Sequence, residues 1–242
     1  MNLYGLIGNP LSQSFSKKYF SEKFEKEEIP NSLYELFPLE NINLLKDLLV
    51  TKPNLKGLNV TIPYKEQVLP FLHTLNPEAE QIAAVNCIKI EDGKLTGYNT
   101  DAPAFKQSLL SLLEPHHSKA LVLGTGGAAK AVLFVLKQLN IFYSVVSRNA
   151  GAHFTYSQIN KEIIEEYPLI INCTPLGSYP KVNTAPDIPY QYLSPKNYLY
   201  DLVYNPAKTL FLQKGEKRGA VIKNGYDMLV GQAELSWKIW NS

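Results

Sequence analysis

The stretch Leu121-Val-Leu-Gly-Thr-Gly-Gly-Ala-Ala-Lys130 constrains the fold more than any other part of the chain. A short apolar run feeds into glycines, and the apolar residues of Ala128–Leu139 then recur at helical spacing. Strand, loop and helix thus follow in the order a nucleotide site requires. Gly124 allows the sharp turn off the strand, Gly126 lets a pyrophosphate approach the backbone, and Ala129 fills the third small position of G-x-G-x-x-G/A. The leading N–H groups and the positive dipole end of the new helix attract phosphate. A loop of this kind can also be a tight turn and nothing more, but the flanking strand and helix favour dinucleotide binding. Roughly half the chain precedes the loop, which leaves room for a separate substrate-binding region.

Composition narrows the class. At 242 residues the chain suffices for one large domain or two modest ones. Its 45% hydrophobic and 19% charged residues are those of an ordinary globular protein. Net charge is only +2, with Lys and Arg scattered among Asp and Glu, so no basic stripe points to nucleic acid. The N-terminus Met1-Asn-Leu-Tyr-Gly-Leu-Ile-Gly8 reads as a first strand rather than a signal peptide, and no apolar run is long enough to span a bilayer. Cys87 and Cys173 are too few and too far apart for a disulfide framework or a thiolate metal site, and a reducing cytoplasm is expected. His73, His116, His117 and His153 show no HExxH or comparable spacing, so no metal is inferred. Cys173, after an apolar strand, reads as buried rather than nucleophilic, and no G-x-S-x-G elbow suggests covalent catalysis.

Along the chain, strand patterns are expected at Leu3–Ile7, Ser32–Phe37 and Gly57–Ile62, and helices at Phe15–Phe24 and Ile42–Leu49. The runs Ala84–Ile90 and Leu95–Tyr98, joined by Glu91-Asp-Gly-Lys94, predict a hairpin. Asp101 sits where a helix cap belongs, ahead of Phe105–Leu113. Composition alone would divide the chain at the polar joint Pro115-His-His-Ser118. Beyond it, Phe142–Ser147, Leu169–Cys173, Tyr198–Val203 and Ala220–Lys223 alternate with helical or loop material, which predicts a parallel doubly wound sheet. The span from Thr174 to Lys196 reads as irregular, and Tyr226–Trp240 as a closing helix.

Several residues are candidates for chemistry. The run Tyr143-Ser-Val-Val-Ser-Arg-Asn149 has no Asp or Glu to take a ribose 2′-hydroxyl, and Arg148 can bind a 2′-phosphate bidentately, which favours NADP over NAD. Lys65, past Pro63 at the end of an apolar strand, is a candidate proton donor or acceptor, though a lysine there is more often a surface charge. Asp101 is explained well enough by capping. Ser12, Ser14 and Ser16 can hold a carboxylate at a helix N-terminus or act as ordinary caps, and capping is the better reading taken alone. Gln232, two turns into the last helix, can reach a ligand or be a solvated glutamine.

Together these segments resemble the shikimate dehydrogenase family. The matching pieces run in family order over nearly the whole chain: Gly8-Asn-Pro-Leu-Ser-Gln-Ser-Phe-Ser16, Gly57-Leu-Asn-Val-Thr-Ile-Pro-Tyr-Lys65, Ala84-Val-Asn86, Gly97-Tyr-Asn-Thr-Asp101, the glycine loop, Asn172-Cys-Thr-Pro-Leu-Gly177, Asp201-Leu-Val-Tyr-Asn-Pro206 and Gly225-Tyr-Asp-Met-Leu-Val-Gly-Gln232. The resemblance implies an α/β architecture: an N-terminal α/β substrate-binding domain over 1–102 and a Rossmann-like doubly wound NADP-binding domain over 103–224, with a cleft between them. The last helix, about 225–242, would pack back on the first domain.

The activity implied is NADPH-linked interconversion of 3-dehydroshikimate and shikimate, on the route to chorismate and the aromatic amino acids. Lys65 and Asp101 would be the catalytic pair. Ser14 and Ser16, helped by Tyr204, would bind the substrate carboxylate, and Thr61, Asn86, Asp101 and Gln232 the ring hydroxyls. Gly124, Thr125, Gly126, Gly127, Ala128 and Ala129 would take the pyrophosphate, and Ser147, Arg148 and Asn149 the adenosine phosphate. Thr174, Leu202, Gly225 and Met228 would lie near the ribose and nicotinamide. The implied protein is cytoplasmic, a monomer or homodimer, without nucleic-acid or membrane partners.

The chain departs from the family pattern at Lys17 (commonly Pro), Ala102 (often Gly), Ser147 (often Asn) and Ser178 (often Met), and it lacks a further basic residue after Arg148. Two alternatives stand beside the main reading. One is a quinate-using paralogue employing NAD, against which the presence of both Ser14 and Ser16 argues. The other is a non-catalytic regulatory descendant, against which the intact Lys65 and Asp101 argue.

Overall fold

A computed structural model describes residues 1–11, 14–149 and 151–242. Contacts along the chain divide it into two compact units, one of residues 1–100 with 233–242 and one of residues 101–232.

In the first unit the elements are β1 (Asn2–Gly8), α1 (Phe15–Lys26), β2 (Ser32–Pro38), α2 (Leu45–Thr51), β3 (Leu55–Val60), α3 (Tyr64–Gln67), β4 (Thr74–Leu75), α4 (Pro77–Ile82), β5 (Cys87–Glu91) and β6 (Lys94–Tyr98). They build a six-stranded sheet in the order β2-β1-β3-β5-β6-β4. The strands β2, β1 and β3 are parallel, whereas β5 runs antiparallel to both β3 and β6. The β5–β6 pair is the expected hairpin, turning through Asp92 and Gly93, both at positive φ.

Both faces of this sheet are covered. Leu3, Ile7, Leu58 and Val60 pack with Leu45, Leu48, Tyr64 and Val68 on one side. Tyr4, Leu6 and Tyr34 pack on the other with Phe20 and Phe24 of α1 and with Ala233 and Trp240 near the end of the chain. Lys23 donates to both carboxylate oxygens of Glu234, at 2.9 and 3.1 Å, and Tyr19 donates to the same group, which fastens α1 to the terminal segment.

The expected strand Gly57–Ile62 differs from the observed β3. Alternation in Leu58-Asn-Val-Thr-Ile62 reads as one buried and one wet face. Asn59 is nevertheless buried, and Ile62 is 70% exposed beyond the strand's end. The reason is position: β3 lies between β1 and β5 and is covered on both faces, so period-two patterning does not mark a solvent side.

The second unit comprises α5 (Asp101–Leu110), β7 (Lys119–Leu123), α6 (Gly127–Gln138), β8 (Phe142–Ser147), β9 (Phe154–Thr155), α7 (Lys161–Glu166), β10 (Leu169–Asn172), β11 (Tyr198–Asp201), α8 (Leu210–Glu216), β12 (Val221–Lys223) and most of α9 (Tyr226–Trp240). Pro115–Ser118 is a turn between α5 and β7 within it. The sheet order is β12-β11-β10-β7-β8-β9, and every neighbouring pair is parallel. In order of appearance this is the 3-2-1-4-5-6 arrangement of doubly wound nucleotide-binding folds, whose strand order reverses between the first and fourth strands. The reversal falls between β7 and β10. Leu121, Leu123, Ile170, Leu199 and Phe211 fill one side of the sheet with Ile164 of α7, while Phe105 of α5 sets its ring edge-on to Tyr200, 5.1 Å between centroids.

Candidate active site

The glycine loop lies at the C-terminal end of β7, on the reversal of strand order, which is where open α/β sheets place ligands. Gly124 has φ +109 and its N–H donates to the Val146 carbonyl at 2.9 Å. A Cβ there would be strained and would stand 3.1 Å from Cγ2 of Thr174, so glycine is needed both for the turn and for the close approach of the loop after β10. At Gly126, by contrast, a Cβ would meet nothing within 4 Å. Gly126 is the N-cap of α6 and no side chain caps that terminus. An open, side-chain-free helix start facing solvent is the surface a pyrophosphate fits. Thr125 is exposed, Gly127 and Ala128 are half-buried, and Ala129 is buried, its N–H donating to the Gly126 carbonyl at 2.8 Å.

At the end of β8, Ser147 accepts from the Asn149 N–H at 3.2 Å, and Arg148 and Asn149 are exposed. Arg148 lies near enough to Tyr156 for its charge to oppose the rise that burial imposes on that phenol. A guanidinium beside an aromatic ring at this strand end suits a phosphorylated ribose next to adenine.

A buried carboxylate stands behind the loops that follow β10 and β11. Asp201 is fully buried and accepts from Asn172 Nδ2 at 2.9 Å, the Val203 N–H at 3.0 Å and the Thr209 hydroxyl at 2.5 Å. Asn172 Oδ1 in turn accepts from the Thr174 hydroxyl at 2.6 Å and its N–H at 3.0 Å. This network fixes Thr174 and the Leu202 stretch to one another. Burial pushes the Asp201 carboxyl up to about 6, against the three hydrogen bonds that favour its charge. Leu202 is half-buried, and a Cβ on Gly225 would collide with its carbonyl; Met228 is buried one turn into α9. Asn172, Asp201 and Thr209 were missed as functional residues. The available signal was a polar residue closing each of two apolar strand runs.

In the first unit Ser14 is the N-cap of α1 and accepts from the Lys17 N–H at 3.4 Å. Capping uses its oxygen as acceptor, so the hydroxyl hydrogen does not compete with that role, and the two readings of Ser14 are compatible. Ser16 is buried and shares a hydrogen bond with Tyr34; Ser12 lies outside the described residues. Thr61 is half-buried, donating its N–H to the Ile7 carbonyl at 2.9 Å just past β3. Lys65 sits in the short helix α3, half-buried, its carbonyl accepting from the Val85 N–H at 2.8 Å. The next residue, Asn86, is buried, with Nδ2 donating to Thr100 Oγ1 at 2.9 Å and Oδ1 accepting from the Thr100 N–H at 2.7 Å.

The remaining candidates belong to the second unit. Asp101 opens α5 as its first helical residue and is buried. Tyr204 is half-buried, and burial raises its phenol. Gln232 is buried and donates to the Leu229 carbonyl at 3.0 Å, a local bond rather than the solvated side chain of the plain reading. Cys173 is half-buried, and desolvation pushes its thiol upward, away from a thiolate nucleophile. Among the described residues no group of three or more His, Cys, Asp or Glu could hold a metal ion, and no helix is long and apolar enough to cross a membrane.

Residues 6–88 match the sequence family described as the shikimate dehydrogenase substrate binding domain. The shikimate dehydrogenase (NADP(+)) of Clostridium beijerinckii is 39% identical over 99% of this chain and 92% of its own length. That of Caldanaerobacter subterraneus subsp. tengcongensis is 37% identical over 98% of this chain and 91% of its own. In three dimensions, the shikimate 5-dehydrogenase of Thermus thermophilus, solved with NADP(H) and shikimate, superposes with a TM-score of 0.87 at 30% identity, covering 99% of this chain and 93% of that one.

Proposed function

The chain belongs to the shikimate dehydrogenase family, and from that premise we propose that it catalyses the reversible, NADPH-dependent reduction of 3-dehydroshikimate to shikimate. One observation carries the reading. A side-chain-free glycine cradle lies at the switch point of a doubly wound sheet, in a chain whose other unit matches the substrate-binding domain of that family. Residues 1–102 serve as the substrate domain and 103–224 as the cofactor domain.

The loop Gly124–Ala129 holds the pyrophosphate through backbone N–H groups, and Ser147, Arg148 and Asn149 hold the 2′-phosphate. Thr174, Leu202, Gly225 and Met228 flank the ribose and nicotinamide. When bound there, NADPH supplies a hydride to the ketone carbon. The oxygen that gains charge needs a proton and a cation beside it. Lys65 answers both needs: its Nζ donates the proton in reduction and accepts it from the hydroxyl in oxidation. Asp101 accepts a hydrogen bond from a ring hydroxyl and orients the lysine ammonium. Ser14, Ser16 and Tyr204 hold the carboxylate, and Thr61, Asn86 and Gln232 the ring hydroxyls. Neither cysteine is in a disulfide, which suits a reducing cytoplasm.

The test follows NADPH absorbance with 3-dehydroshikimate, beside NADH and with 3-dehydroquinate as competitor. Rapid oxidation of NADPH specific to 3-dehydroshikimate is the expected result. Binding of NADPH without reduction of any ketone would sink the catalytic reading, and a preference for NADH with the quinate-series ketone would replace the substrate.

A further inference from the structure

Ser16 and Asn86 are joined by a continuous line of buried side chains that the reaction itself does not use. From Ser16 the line passes to the Tyr34 hydroxyl, which donates to Asn59 Oδ1 at 2.8 Å. Asn59 Nδ2 donates to Ser236 Oγ at 2.9 Å, and the Ser236 and Thr100 hydroxyls are 3.3 Å apart. Thr100 then meets Asn86. All six residues are at most 9% exposed, so every group in the line depends on its neighbours rather than on water.

Backbone groups fix the direction of the hydrogen bonds at both ends. Asn59 Nδ2 also donates to the Asn86 carbonyl, at 3.3 Å, so Asn59 cannot flip without setting two oxygens against each other. Its Oδ1 therefore faces Tyr34, Tyr34 spends its only hydrogen there, and Ser16 gives its own to Tyr34. At the far end the Thr100 N–H holds Asn86 Oδ1, which turns Nδ2 toward the Thr100 hydroxyl.

We propose that Tyr34 and Ser236 are positioning residues that hold Ser16 and Asn86 in a single orientation before the substrate arrives. The inference rests on the assignment of those two groups to the carboxylate and a ring hydroxyl. Prior ordering removes rotamer entropy that binding would otherwise have to overcome. Ser14, a helix cap outside the line, is independent of it.

The experiment uses the full chain with Tyr34→Phe and Ser236→Ala, each removing one hydroxyl. Wild type must first reduce 3-dehydroshikimate with NADPH; failure there counts against the proposed reaction and not against the line. Shikimate affinity by calorimetry, the two KM values and kcat are then compared. Tyr34→Phe is expected to raise the KM for 3-dehydroshikimate and the Kd for shikimate about tenfold, and Ser236→Ala about fivefold, as for loss of a buried hydrogen bond. NADPH affinity and kcat should stay within about twofold, because neither hydroxyl belongs to the proton pair. In a Ser16→Ala background, Tyr34→Phe should add less than about twofold, since its target is gone.

Substrate constants within twofold of wild type, a fall in KM, or equal losses for NADPH and substrate would each overturn the proposal. So would a Tyr34→Phe effect that persists in full without the Ser16 hydroxyl. Should Tyr34→Phe fail to fold by thermal melting, Ser236→Ala decides at the Asn86 end.

Discussion

The two units meet their ligands by different means. In the second, recognition is built mainly from backbone: a glycine at positive φ, a helix start with no side-chain cap, and two loops fastened by a buried carboxylate. The first relies on side chains: a capping serine, a lysine on a four-residue helix, and a buried amide fixed by Thr100. Backbone recognition depends on residues that lack atoms, so substitutions add clashes. Side-chain recognition depends on residues that carry donors, so substitutions remove partners. The first kind also tolerates few alternatives, because only glycine satisfies both φ and approach.

The largest effect should come from Lys65→Ala, which is expected to lower kcat by about 10³- to 10⁴-fold while NADPH affinity changes less than about twofold. Stopped-flow turnover beside fluorescence titration of NADPH separates the two. Comparable losses in both would mean that the units are not divided as described.

Asp201 gives the next effect, and it appears in stability. Its carboxyl binds a proton more readily in the fold than in the unfolded chain, at about 6 against 3.8. Protonation therefore favours folding below about pH 4, and that contribution, roughly 2–3 kcal/mol, is lost as pH rises through about 6. Urea unfolding between pH 4 and 7 should show this slope in wild type and not in Asp201→Asn. Parallel profiles for the two proteins would contradict it.

Gly124→Ala sharpens the comparison from the cofactor side. The strained φ and the contact with Thr174 should weaken NADPH about 10- to 30-fold and leave shikimate affinity unchanged. Calorimetry with each ligand checks this. Smallest is Arg148→Ala: the exposed guanidinium should contribute only a several-fold preference for NADPH over NADH, diminishing with salt. A ratio of kcat/KM values unchanged by the substitution would remove Arg148 from the site.

Much of this was legible in the sequence, and unequally. The glycine loop, the alternation of strands and helices beyond it, and the helix over Tyr226–Trp240 were readable because local pattern and tertiary role coincide there. The short elements β4, β9 and α7 were not, since two to six residues carry too little periodicity. Lys65, Asp101 and the serines were ambiguous as single residues, each having an ordinary structural explanation, and gained meaning only through the family resemblance of the whole set.

By itself, then, the sequence determined the class of the second unit, through spacings that allow only a strand, a tight turn and a helix in succession. Its polar residues on apolar strands could be seen but not interpreted. Tertiary structure alone decided that Asn59 is buried on a doubly covered strand, that Asp201 closes a network with Asn172 and Thr209, and that Ser16 and Asn86 share one line through Tyr34 and Ser236. The physical reason is distance along the chain. Asn59 and Ser236 bond across 177 positions, and no local periodicity reports on a partner that far away.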